Sequence, residues 1–349
     1  MSQEQAAAGP GGRPPELPAA GSRGRHAGPV TVGPPSMAEQ RAVLAGRARS
    51  LLAACRAYPL AAAGALMLIA VAAFCFGGPL VYHTDQVHVF LSQANLSPRA
   101  GHPLGTDGDG IDELGRLMVG GRVSLEVGAA AGALAAVLGS LWGAVAGYAG
   151  GVVDAAMMRI VDAAIAIPAV VLLLLLVSIY RPSTSMLVLV IAGTSWLSTA
   201  RLVRAEALTL RVREYVQAAR VMGGSGLRVI LRHIAPNALG TIAVNVTFQV
   251  GNAILILATL GFLGLGVTFP AVDWGDMISA AVQTISDGYW WQILCPGVAI
   301  MVVIVALTML GDGLRDAFSA ADTGTGPDAT AVNDARAARA LSIAFGPRW

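Results

Sequence analysis

The sequence predicts an all-α integral membrane protein with six transmembrane helices. Three observations carry that prediction. The 349 residues are 55% hydrophobic and only 13% charged, against ~25% charged in an ordinary soluble domain. Charge-free runs at 57–82, 127–153, 163–180, 182–200, 234–272 and 288–311 meet the length of a spanning helix, about 20 apolar residues. The arginines outside them concentrate in the segments on one side of the spans. Six core helices of a large soluble protein would show polar outer faces, and stretches such as Val170–Val177 show none.

The elements follow in order. The first 50 residues are rich in Ala, Gly, Pro and Arg, so 1–40 is expected to be a disordered tail that cannot bury enough apolar surface to fold. No apolar core follows a short basic start, which argues against a secretory signal peptide. Arg47 and Arg49 stand where a lipoprotein signal before Cys55 would be apolar. The transmembrane domain is read as 41–318, with spans at about 58–80, 125–148, 160–180, 184–203, 239–263 and 290–312 by the length criterion. Span two carries the pairs Gly128/Gly132 and Gly143/Gly147, the GxxxG spacing that lets helices approach closely. Pro168 should kink span three by removing one backbone hydrogen bond. The fifth run outlasts one span, and Gly261, Gly264, Gly266 and Pro270 should end its helix and leave 264–289 as a loop. Residues 319–349 read as a C-terminal tail.

Arginine placement sets the orientation. The tail before residue 57, the segment 201–232, Arg159 and the C-terminal tail hold all but Arg99, Arg116, Arg122 and Arg181. The positive-inside rule puts both termini and the segment 201–237 in the cytoplasm. Within that segment, Ala200 to Met222 has no Gly or Pro and is rich in helix formers. Gly223-Gly224 supplies a left-handed turn, Ser225 caps a second short helix to His233, and Pro236 breaks the ladder before span five. A helix–turn–helix at the membrane surface results. Its small face of Ala218, Ala219 and Gly223 would admit another protein.

Several functions are excluded or weakened. All 23 basic residues are arginine; without lysine there is no GxxxxGK[ST] P-loop, so any ATP hydrolysis belongs to another chain. Cys55, Cys75 and Cys295 are scattered, against a disulfide framework or zinc site. No histidine falls inside a span, against an embedded enzyme and a metal site. A net charge of +2 gives no reason to expect nucleic acid as a partner. Asp107, Asp109, Asp112 and Glu113 lack the full EF-hand spacing and read as turns and helix caps. On span five, Thr241, Asn245, Gln249 and Asn252 fall at i, i+4, i+8 and i+11. Polar groups in lipid face a cavity or a partner, so Asn245, Gln249 and Asn252 either line a path or bond to a neighbouring helix.

Gln217-Ala218-Ala219-Arg220-Val221-Met222-Gly223, then His233-Ile234-Ala235-Pro236 after nine residues, resembles the EAA motif of ABC-importer permeases. Gln217, His233 and Ala235 depart from the usual Glu, Ile and Leu. His102-Pro103-Leu104-Gly105-Thr106-Asp107 through Leu125 resembles a block of the dipeptide, oligopeptide and nickel branch, with Ile111 in place of the family Arg. Met157–Asp162 and Thr259–Gly266 followed by Trp274-Gly275 look like the same branch. The resemblance, over about 55–318, is to its C-type permease. It implies the type I ABC-importer fold in a bacterial inner membrane, and no catalytic site or cofactor on this chain. ATP-Mg would sit on two P-loop ATPase subunits or domains. The other implied partners are a paralogous B-type permease, an extracytoplasmic substrate-binding protein and a di- or oligopeptide substrate. Coupling would run through Glu214, Gln217, Ala218, Ala219, Arg220, Gly223 and Pro236. Import of nickel or another small solute stays open within the branch. An ion-coupled secondary transporter would need internal repeats and intramembrane acids, and neither is seen.

Overall fold

A computed structural model describes residues 56–179, 183–222 and 235–322. The tail 1–40, the turn at Gly223-Gly224, the helix expected up to His233 and the chain beyond Asp322 lie outside the described residues. In chain order the helices are α1 (Pro59–Val81, with one π turn), α2 (Glu113–Ala149), α3 (Gly151–Ile165), α4 (Ala169–Ile179) and α5 (Thr184–Arg211). They continue as α6 (Glu214–Val221), α7 (Ala235–Phe262), α8 (Trp274–Val282) and α9 (Trp291–Asp322). α1, α2, α5, α7 and α9 are each long and apolar enough to cross a membrane. α3 and α4 pass the same test only together, bent by 75°, and as one broken span they make the sixth. Leu66, Ile69, Leu141, Leu175, Leu189 and Met301 are exposed on the outer faces, the reverse of a soluble helix.

Small residues set the packing. Gly139, Gly143 and Gly147 of α2 lie on the backbone of α5 between Trp196 and Ala207, and Gly128 and Gly132 lie on Ile254 and Val250 of α7. The GxxxG pairs are therefore seats for two helices of the same chain. Gly64 of α1 sits on the Ala306 carbonyl of α9, and Gly313 of α9 returns the contact at Ala61. Between these seats Val127, Ala131, Leu173, Val177, Leu187, Ile191, Ala253 and Leu257 close the central core.

Four features differ from the sequence expectations. α2 begins at Glu113, twelve residues before the expected span, because Asp112 caps it by accepting from the Gly115 N–H at 2.8 Å. Charge marks where lipid ends, whereas capping marks where the helix starts. Span three bends at Pro168 as expected, but the bend of 75° divides it into two helices where one kinked helix was expected. The uninterrupted helix expected over 200–222 breaks at Val212 and Arg213, where tertiary packing overrides good helix propensity. The expected loop 264–289 contains α8, capped by Asp273.

The end of the molecule opposite the arginine-rich end is built from the segment 82–112 and the α7–α9 connection. The fully buried Thr106 accepts at its carbonyl from Gln292 Nε2 at 2.9 Å, and its hydroxyl donates to the Gln93 carbonyl at 2.5 Å. Asp107 accepts from the Asp109 and Ile111 N–H groups and pairs with Arg116 at 2.9 Å. Asp112 also receives Tyr82 and His102 at 3.0 and 2.9 Å. Gly261 and Gly266 make room for the buried Asp273 carboxylate, which accepts from the Gly275 and Asp276 N–H groups. The glycines around Thr259–Gly266 thus serve a helix cap.

Asp276 is pushed from the ordinary 3.8 up to about 8 by burial and then by the neighbouring Asp273 charge. A raised folded-state value favours the protonated, folded form. That contribution is complete below about pH 4 and disappears as pH rises through about 8. The melting temperature of the detergent-solubilised protein should therefore fall across this window, and Asp276→Asn should flatten the slope. An unchanged slope in the variant counts against the assignment.

Candidate functional site

α6 lies beside the arginine-rich ends of α2, α5 and α7. Its Val216 is fully buried against Ala207, Leu210 and Ala238, with Tyr148 and Ile242 alongside. This contact explains the break at Val212 and Arg213, because the chain must turn to bring Val216 back onto α5. Glu214, Gln217 and Val221 are exposed on α6, and Gln217 Nε2 donates to the Val212 carbonyl at 3.2 Å. Ala218, Ala219 and Arg220 lie on the same helix, and Pro236 lies in the first turn of α7. Gly223 is outside the described residues. The segment is thus a short helix, anchored by one residue and presenting polar positions outward.

Ion pairs hold α3 against α5 at the same end. Arg204 meets Asp154 with two contacts, Nε to Oδ1 at 2.5 Å and Nη2 to Oδ2 at 2.6 Å. Arg201 meets Asp162 once, at 2.6 Å, with both side chains about half exposed (49% and 52%). Arg211 donates to the Gly147 carbonyl at 3.3 Å. The bidentate, less exposed pair is the stronger clamp, whereas a half-exposed single contact is worth ~0–1 kcal/mol.

The polar stripe of span five divides. The two N–H groups of Gln249 Nε2 are shared among three acceptors, Thr199 Oγ1 at 2.6 Å, the Ser195 carbonyl at 2.9 Å and Ser198 Oγ at 3.1 Å. Thr199 Oγ1 in turn donates to Asn245 Oδ1 at 2.8 Å. Gln249 and Asn245 therefore tie α7 to α5. Asn252 is exposed in a cleft of about 420 Å³ that also touches Ser195, Ser198 and Arg201 of α5. Of the three positions expected on a path, Asn252 alone faces the cleft. Sequence periodicity found the polar face of α7 but was blind to Ser195, Thr199 and Arg201 opposite, because pairing across 46–54 residues leaves no local signal.

Residues 139–321, just over half of the chain, match the family described as binding-protein-dependent transport system inner membrane component. The chain belongs to this family. Its similarity to individual members extends further. It is 36% identical over 258 residues to the dipeptide transport system permease protein DppC of Bacillus subtilis, covering 74% of this chain and 81% of that one. It is 37% identical over 258 residues to a DppC of Alkalihalophilus pseudofirmus, covering 74% and 84%. It is 34% identical over 262 residues to the oligopeptide transport system permease protein OppC of B. subtilis, covering 75% and 86%. A binding-protein-dependent permease is a multi-pass inner-membrane subunit with the type I importer fold. It is non-catalytic, needs no cofactor of its own and depends on a separate substrate-binding protein. Family membership sets the ion-coupled alternative aside.

Proposed function

We propose that this chain is the C-type permease subunit of an ATP-driven importer of di- or oligopeptides and forms half of its membrane pathway. The observation that carries the reading is α6, an anchored helix with an exposed polar face, sitting where the EAA-type residues fall. Two P-loop ATPase subunits closing on ATP-Mg would push on Glu214, Gln217 and the Ala218–Gly223 stretch. Val216 is wedged against both α5 and α7, so displacement of α6 must move those helices. The Gln249–Thr199–Asn245 chain keeps the two helices moving together. Both termini and α6 then lie in the cytoplasm, a reading that arginine placement supports. One set of spans and one coupling segment leave room for a paralogous B-type permease as the other half. The peptide substrate is supported by the names of the DppC and OppC relatives.

The test is isolation of the tagged chain with its co-purifying subunits and reconstitution in proteoliposomes with its binding protein. ATP-dependent accumulation of a labelled di- or tripeptide is expected. Isolation without a P-loop partner, or ATP-dependent uptake of nickel and no peptide, would overturn it.

A further inference from the structure

Pro168 leaves irregular backbone at 166–168 within the broken span. At membrane depth such backbone is tolerated only where protein buries it or where it lines a water-filled cavity. The cleft lies against both ends of this break, at Ile165 and Ala169, and its opposite wall is one face of α5 completed by Asn252. The lining is mainly apolar, but Ser198, Arg201 and Asn252 place polar groups in it, where a surface facing only lipid would carry none.

Ser195 separates a site from a mere gap. Several hydroxyls on these helices return to a carbonyl three or four residues back, as at Ser178, Thr194, Ser198, Thr259 and Thr308, and among the described residues Ser140 of α2, away from the cleft, shares with Ser195 the lack of any partner. The Ser195 hydroxyl makes no such return bond. It is buried, in a residue only 7% exposed, and has no partner. A buried hydroxyl left without a partner is costly, so it marks a place where another molecule's polar group belongs. At the arginine-rich mouth, Arg201 is held by the single exposed contact to Asp162. An exposed pair is worth little, so an incoming carboxylate can replace Asp162. Ser195 and Arg201 are six residues apart, about 9 Å along the helix axis, which is roughly three residues of extended chain.

We infer that the cleft is a station on the pathway that holds the peptide's C-terminal carboxylate on Arg201 and a backbone unit upstream on Ser195 and Asn252. The inference rests on the peptide-importer reading. Only groups common to all peptides are contacted, so passage is independent of side-chain sequence, and the carboxylate leads towards the arginine-rich mouth.

The experiment uses the complete complex in proteoliposomes with a sub-saturating labelled tripeptide. Arg201→Gln should lower uptake roughly tenfold, the range expected for a lost hydrogen bond to a charged group. Asp162→Asn breaks the same ion pair but removes the competing carboxylate, and should raise uptake. Stimulation of ATPase activity by the unliganded binding protein reports assembly of each variant. A C-terminally amidated tripeptide, corrected for its affinity for the isolated binding protein, should be taken up slowly by the wild type and no more slowly by Arg201→Gln. Equal losses in Arg201→Gln and Asp162→Asn would reduce the pair to a structural clamp and overturn the station. So would wild-type uptake by Arg201→Gln. Absence of ATP-driven peptide uptake by the wild type would instead overturn the importer reading, and the station with it.

Discussion

Gly143→Val is expected to eliminate the folded protein. A Cβ at residue 143 would press on the Ala200 carbonyl and lie 2.8 Å from the Arg204 backbone nitrogen and 3.1 Å from Val203 Cβ. Those atoms belong mainly to the α5 backbone, which cannot yield as the tip of a side chain can. Valine adds two methyl groups to that crowding, so the cost should meet or exceed the ~1–3 kcal/mol typical of overpacking. Arg204 is also the partner of Asp154, so separating α2 from α5 loosens the clamp on α3. Gly193→Val is the matched control, because a Cβ there meets nothing within 4 Å. The measurement is the monodisperse fraction and melting temperature after mild detergent extraction. Gly143→Val should yield little or no monodisperse protein, with Gly193→Val close to wild type. A wild-type profile for Gly143→Val would contradict the close approach of α2 and α5.

Gly223→Val should reduce ATP-driven uptake to background while the complex still assembles. α6 ends at Val221, and a glycine just past a helix end takes the left-handed conformation at little cost. A β-branched residue strongly resists it. The substitution should therefore redirect the chain leaving α6 without touching Val216, which anchors the helix to α5 and α7. Uptake, ATPase activity and subunit stoichiometry should be measured together. The expected pattern is a complete complex, retained basal ATPase activity and no transport. Wild-type uptake would remove the coupling role from this turn.

The features legible in the sequence are those fixed by solvent and local backbone chemistry. Charge-free runs located the apolar spans because lipid excludes charge whatever the neighbours. Pro168 announced a bend because a missing N–H is a local fact, although its size, 75°, depends on what α3 and α4 each pack against. The Gly143/Gly147 pair signalled a close approach without identifying α5 as the partner. Helix propensity predicted one uninterrupted helix running up to Met222. It did not reveal the break at Val212 and Arg213, since no residue there disfavours helix.

The candidate site was less legible. Asn245, Gln249 and Asn252 look equivalent on a helical wheel. Only the position of α5 shows that two of them are spent on Thr199, Ser198 and the Ser195 carbonyl, while Asn252 faces open space. Asp154 and Asp162 likewise look like ordinary charges near span ends until Arg204 and Arg201 are set beside them.

The sequence by itself determined that this chain is a multi-span helical membrane protein, where its spans fall and which family it belongs to. Those properties come from hydrophobicity, charge and short-range motifs, each satisfied within a few turns of helix. Tertiary structure alone decided which glycines seat which helices, which polar groups pair and which are left facing the cleft. Those outcomes depend on groups brought together from distant parts of the chain, and a hydrogen bond or van der Waals contact exists only once both partners are in place.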